Sequence, residues 1–263
     1  MPSQSSSLDS NHWFICSQPN PQAETRLFFF PYAGGGPAAF GKWCREFPSG
    51  IEAWIVHYPG RGSRFNEAPI RELADLVERI HQALQPLLDI PFAFFGHSLG
   101  GLVAFELART LHQNHLPQPI TLFVSACGAP HIPDPHPAIH DLPDAEFLTS
   151  LKELNGIPSE VLHQPDAMQV LLPILRADFE LIESYHYDPV EPPLDCPIIA
   201  FGGLDDLRVS RERVEGWALH TNSRFESHYF PGDHFFINSE KESITESITK
   251  EINPAGTRKN TSV

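Results

Sequence analysis

An α/β domain, with a mostly parallel sheet flanked by helices, is the fold class the sequence predicts, and three observations predict it. Short apolar runs alternate with longer helical patterns along most of the 263 residues. The short runs are nearly continuous in Phe, Ile and Val, as suits strands covered on both faces. A G-x-S-x-G pentad then lies between one such run and the helical pattern after it, a strand–turn–helix arrangement. A chain of this length buries one sizeable core as a single α/β domain.

Residues 26–30 (RLFFF), 52–57 (EAWIVH), 92–95 (FAFF), 120–125 (ITLFVS), 197–201 (PIIAF) and 224–230 (RFESHYF) read as the strands. The stretch 70–87 carries Ile70, Leu73, Leu76, Val77, Ile80, Leu84 and Leu87 at three- and four-residue spacings, which predicts an amphipathic helix. Residues 99–112 are apolar almost all round and predict a buried one. Proline is the compositional oddity, at 26 residues or about a tenth of the chain, twice the usual share of roughly 5%. Seven prolines fall within 117–143, too many for regular structure to persist. Two helical patterns follow, 144–154 and 165–185, with no strand between them. A second proline group (Pro189, Pro192, Pro193, Pro197) leads into the next strand. Residues 130–193 therefore read as a helical insertion bracketed by proline-rich hinges, within a domain spanning 23–252. The polar ends, 1–22 and 253–263, read as disordered.

Charge and cysteines narrow the partners and the compartment. Thirty-three acidic residues against 18 basic ones give a net charge of −15. That balance excludes nucleic acid as a main partner, since phosphate binding needs clustered Lys and Arg. It equally disfavours a polybasic membrane anchor, and no apolar run is long enough to span a bilayer. Residues 1–22 contain no apolar stretch of signal-peptide length. Cys16, Cys44, Cys127 and Cys196 are scattered and form no CxxC pair, so they read as small buried hydrophobes in a reducing compartment. A cytoplasmic location is expected.

The pentad is Gly96-His97-Ser98-Leu99-Gly100. A strand turning sharply into a helix brings backbones together, so side chains flanking the serine would clash; the serine is held strained, with Oγ out above the sheet. A serine nucleophile needs a base, and the base needs an orienting acid. In this arrangement the acid follows a late strand and the histidine follows the last one. His234, in Pro231-Gly232-Asp233-His234, is the base. Asp205 and Asp206 both fit the acid's place; Asp206 is favoured, three residues before the start of a helix at 209–210. The oxyanion is assigned to the backbone N–H groups of Leu99, at the helix start, and Ala33, in the loop Phe30-Pro31-Tyr32-Ala33-Gly34-Gly35-Gly36. His131, His136 and His140 lie in a proline-rich loop without helical spacing, so no metal site is expected, and no organic cofactor.

The segments FFFPYAGGG, HYPGRGSR, FGHSLGG, LPDAEFLTSLKELNGIPSEVL, LLPILRADFELIESYHY, FGGLDDLRVS and FPGDHFFI, in that order between residues 26 and 252, resemble the type II thioesterases. These are free-standing α/β hydrolases that accompany polyketide synthases and nonribosomal peptide synthetases. The resemblance implies the α/β-hydrolase fold, with 130–193 as a mobile lid. It implies a substrate held as a thioester on the 4′-phosphopantetheine arm of an acyl or peptidyl carrier protein, and an editing role that frees misloaded carriers. A monomer is expected. Leu207 departs from the pattern, standing where many relatives have Pro. Two alternatives stay open: a carboxylesterase or product-releasing thioesterase of the same fold, and a non-catalytic interaction protein on its scaffold.

The charge is not evenly spread. Residues 141–187 hold nine acidic and two basic residues, whereas 57–71 hold Arg61, Arg64 and Arg71 against Glu67. Two readings follow: an acidic carrier docks on a basic rim including Arg61 or Arg64, or these arginines pair internally.

Overall fold

The computed structural model describes residues 12–153 and 164–253. Seven strands form one sheet in the order β1-β3-β2-β4-β5-β6-β7. They are β1 (Phe14–Ile15), β2 (Thr25–Phe30), β3 (Ile51–Val56), β4 (Phe92–His97), β5 (Leu122–Ser125), β6 (Ile198–Gly203) and β7 (Phe225–Phe230). Only β1 pairs antiparallel; every other pairing is parallel. The helices are α1 (Pro37–Phe40), α2 (Leu73–Leu84), α3 (Leu99–Gln113), α4 (Asp144–Glu153), α5 (Pro165–Glu183), α6 (Arg211–Glu215) and α7 (Lys241–Ile252).

The apolar runs are continuous because the sheet is covered twice. Phe28, Phe30 and Phe94 pack on one face with α2 and α3. Leu27, Phe29 and Phe95 pack on the other with Phe40, Trp43 and the Ile244, Ile248 and Ile252 stripe of α7. Each such side chain contributes roughly 1.5–3 kcal/mol by burial, so a one-residue slip of a strand would exchange two filled faces. The insertion carries a small core of its own: Ile139, Phe147 and Leu151 meet Leu175 and Phe179 of α5, and Ala33 packs against them.

The predicted strands are all present, with ends moved by one to two residues. The amphipathic pattern at 70–87 resolves into α2 followed by a 3₁₀ turn at Gln85–Leu87. One expectation is corrected. Residues 12–22 are not a disordered end: Phe14 and Ile15 pair with Val56 and Ile55, and Phe14 is buried against Phe28. The reason is composition, since Trp13, Phe14 and Ile15 are an apolar island in a polar leader and cover the open edge of β3. The rest of the expected disordered ends, 1–11 and 254–263, lies outside the described residues, as do 154–163. Cys44, Cys127 and Cys196 are buried and Cys16 is half-buried, all as free thiols.

Three buried histidines make stability depend on pH. Burial lowers the pKa of His57, that of His97 to well below the ordinary 6.5, and that of His220 to about 4. Below pH 6.5 the unfolded chain takes up protons that these rings refuse in the native state, so stability falls as pH falls. His220, held to about 4, approaches the full slope of one titrating group, roughly 1.4 kcal/mol per pH unit, within that window. Thermal melts should therefore move downward between pH 7 and pH 5, and His220→Asn should flatten the slope. A melting temperature that rises as pH drops across that range would contradict the assignment.

Candidate active site

All the sequence-derived site residues lie at the C-terminal edge of the parallel strands, the edge where open α/β sheets hold their ligands. Ser98 follows β4, Ala33 follows β2, Asp206 follows β6 and His234 follows β7. The serine has φ 53° and ψ −120°, a strained conformation for a residue with a side chain. Crowding keeps it there. A Cβ on Gly96 would stand 2.1 Å from the Gly100 carbonyl oxygen, and one on Gly100 would stand 1.9 Å from that of Phe30. The Ser98 N–H donates to the Ser125 carbonyl at 2.8 Å, tying the elbow to β5.

His234 donates from Nδ1 to Asp206 Oδ2 at 3.0 Å, which leaves Nε2 as the basic nitrogen. The other oxygen, Oδ1, accepts the N–H groups of Arg208 (2.8 Å) and Val209 (3.1 Å). Burial alone would raise the Asp206 pKa, but the His234 ring and these two amides outweigh it and hold the carboxyl below its ordinary range. Asp205 is exposed and contributes only its N–H, to the Gly232 carbonyl. Of the adjacent pair, Asp206 is the carboxylate that meets the His234 ring. Leu207, in the place of the expected proline, is 92% exposed and leaves the Asp206–His234 contact intact.

The Ala33 and Leu99 N–H groups donate to no acceptor among the described residues, as oxyanion donors must. Both residues line a cavity of about 380 Å³ together with Ser98 and His234. Its wall is largely apolar, with Leu102, Leu151, Leu175, Phe179 and Ile182, the last three from α5. Cys127 also faces this cavity, yet burial pushes its thiol pKa up to about 12. It therefore presents no thiolate, and Ser98 is the nucleophile the chemistry favours.

Some contributors escaped the sequence. His97, inside the pentad, is fully buried, shares a hydrogen bond of 2.9 Å with Ser125 Oγ, and lies 5.5 Å ring to ring from His234. Burial, and then the charge on His234, keep it neutral. Only its place beside the serine hinted at this. The proline-rich loop histidines turn to partners other than metal: His140 Nδ1 meets Glu183 Oε2 at 2.6 Å, His136 pairs with Asp134, and His131 meets His220. No cluster of three or more His, Cys, Asp or Glu side chains able to hold a metal occurs among the described residues.

Of the two readings of the arginine-rich segment, internal pairing is the one the structure bears out. Arg61 is buried against Asp178, and Arg64 is buried on Glu67, the His57 carbonyl and the Trp13 ring. Arg71 is spent on Glu180. The local excess of arginine serves internal pairing: Asp178 and Glu180 of the insertion take Arg61 and Arg71, and Glu67 takes Arg64.

Comparison with known proteins bears on the chain as a whole. The model of the thioesterase domain family matches residues 25–253. Gramicidin S biosynthesis protein GrsT of Aneurinibacillus migulanus is 44% identical over 242 residues, covering 92% of this chain and 94% of the relative. The medium-chain S-acyl fatty acid synthase thioesterase of Rattus norvegicus is 32% identical, covering 84% and 85%. Among solved structures, a thioesterase from the prodiginine biosynthetic pathway in Streptomyces coelicolor, RedJ, aligns with a TM-score of 0.84 at 34% identity over 90% of this chain and 95% of that one.

Proposed function

The chain belongs to the thioesterase domain family and is a thioester hydrolase, and we propose that it cleaves acyl and aminoacyl groups from the phosphopantetheine arm of acyl or peptidyl carrier proteins, clearing stalled or misloaded carriers in nonribosomal peptide or polyketide synthesis. The observation that carries this reading is the Asp206–His234 pair and Ser98 opening together on an apolar cavity. The relatives supply the pathway: one is named for gramicidin S biosynthesis, another comes from a prodiginine pathway.

In this reading Ser98 Oγ attacks the thioester carbon while His234 Nε2 takes its proton. The Ala33 and Leu99 amides stabilise the oxyanion. The tetrahedral intermediate collapses, the carbon–sulfur bond breaks, and His234 gives its proton to the departing pantetheine thiol. A water then loses a proton to the same nitrogen, attacks the acyl-serine and releases the acid. Asp206 keeps the ring in the tautomer this needs and supports its positive charge. No metal or organic cofactor enters the scheme; the pantetheine belongs to the substrate. No helix among the described residues is long and apolar enough to cross a membrane, and a cytoplasmic monomer acting on a protein-bound substrate fits that.

The test compares acyl-loaded carrier protein with a p-nitrophenyl ester of the same chain length. Higher kcat/KM on the carrier is expected. Faster turnover of the free ester would favour a carboxylesterase instead, and turnover of neither would favour a non-catalytic role.

A further inference from the structure

Tyr32, Ala33, Gly34 and Gly35 form a tight turn in which the Gly35 N–H donates to the Tyr32 carbonyl at 2.8 Å. Gly34, at the third position, has φ +74°, the pattern of a type II turn. The N–H and C=O of a trans peptide point in opposite directions. Occupation of the Tyr32 carbonyl by Gly35 therefore aims the Ala33 N–H away from the turn. The central peptide, between Ala33 and Gly34, has no such local restraint, and a type I turn differs from type II mainly by its inversion. That peptide is held from outside: the Gly34 N–H donates to Asp178 Oδ2 of α5 at 2.7 Å. Inversion would turn the Ala33 carbonyl oxygen toward a carboxylate.

Asp178 is itself almost wholly buried, and Arg61 binds both its oxygens, at 2.6 and 2.5 Å. The fit is close. A Cβ on Gly34 would stand 2.6 Å from Leu175 Cδ2, one turn before Asp178 on the same helix. Helix α5 thus touches the turn with one residue and lines the acyl cavity with its neighbours Leu175, Phe179 and Ile182.

We infer that Asp178 is a positioning residue for the oxyanion hole: charge-balanced by Arg61, it tethers the turn at Gly34, and so holds in place the neighbouring Ala33 N–H that the turn's own hydrogen bond aims outward at the reacting carbonyl. The inference rests on the thioesterase reading above and adds to it a residue outside the triad, on the helical insertion. An acceptor that acts only in forming the hole should matter to kcat and little to KM.

The test separates positioning from stability. Replacing a buried ion pair by apolar residues of similar size commonly preserves or raises stability, so the double variant Arg61→Met/Asp178→Leu should fold while lacking any acceptor for Gly34. Asp178→Asn keeps an amide oxygen for Gly34 but loses the charge. Arg71→Ala breaks a different, exposed ion pair between α5 and the body and leaves the turn alone. With acyl carrier protein as substrate, kcat should fall by about tenfold or more in the double variant, with KM within threefold. It should fall less in Asp178→Asn and stay near wild type in Arg71→Ala. Affinity for an alkyl trifluoromethyl ketone, which forms a tetrahedral adduct on serine, should fall in step with kcat. A double variant that keeps kcat within twofold of wild type would overturn the inference, and so would kcat values that follow melting temperature while ketone affinity stays constant. Turnover that survives Ser98→Ala on the same substrate would instead strike at the thioesterase mechanism itself.

Discussion

Ser98→Ala is expected to reduce kcat on acyl carrier protein by a factor on the order of 10⁵–10⁶, the loss seen when a serine nucleophile is removed from a triad. The protein should remain folded. The Ser98 side chain makes no capping hydrogen bond to α3, and the N–H contact to Ser125 that fixes the elbow belongs to the backbone. Alanine also tolerates the strained dihedrals no worse than serine. Cys127 cannot stand in, since a thiol with a pKa near 12 supplies almost no thiolate at neutral pH. Release of free carrier thiol, followed with a thiol-reactive chromophore, reads the effect directly. Activity within tenfold of wild type would mean that the nucleophile lies elsewhere.

Asp206→Asn should cost roughly 10⁴ in kcat, through the tautomer rather than the fold. The amide oxygen of the substituted side chain can still accept from Arg208 and Val209, so the turn after β6 keeps its shape. Its NH₂ group then faces His234 as a donor. Nδ1 must become the acceptor, the proton moves to Nε2, and the base is lost. Asp205→Asn is the matched control, because that carboxyl is exposed and only the residue's backbone is engaged. It should leave kcat within twofold. Equal losses at the two positions would contradict the assignment of the acid.

The sheet and the strand–turn–helix setting of Ser98 were legible in the sequence because both are written in local patterns. Continuous apolar runs mark doubly covered strands, and the crowding at Gly96 and Gly100 leaves a spacing signature that needs no tertiary knowledge. Asp206 was harder to separate from Asp205. What separates them is which carboxyl reaches the ring, a matter of how the turns after β6 and β7 meet. The N-terminal strand was missed because two residues carry no period, and β1 exists only because β3 offers an edge. The buried Arg61–Asp178 pair was invisible for a different reason. Its members are 117 residues apart, and a charged residue in sequence reads by default as solvated. The same default kept an exposed basic rim open as one of two readings of Arg61 and Arg64, although burial and partners claim both.

The central claim is that hydrolysis proceeds through an acyl group carried on Ser98. Mixing Asp206→Asn protein with excess acyl-loaded carrier protein, quenching within the first turnovers and mapping the adduct by peptide mass spectrometry tests it most directly. The acyl mass is predicted on the peptide containing Ser98, and to be absent from that peptide when Ser98→Ala is added. Acyl release from the carrier with no adduct on Ser98 at any quench time, or an adduct on Cys127, would contradict it.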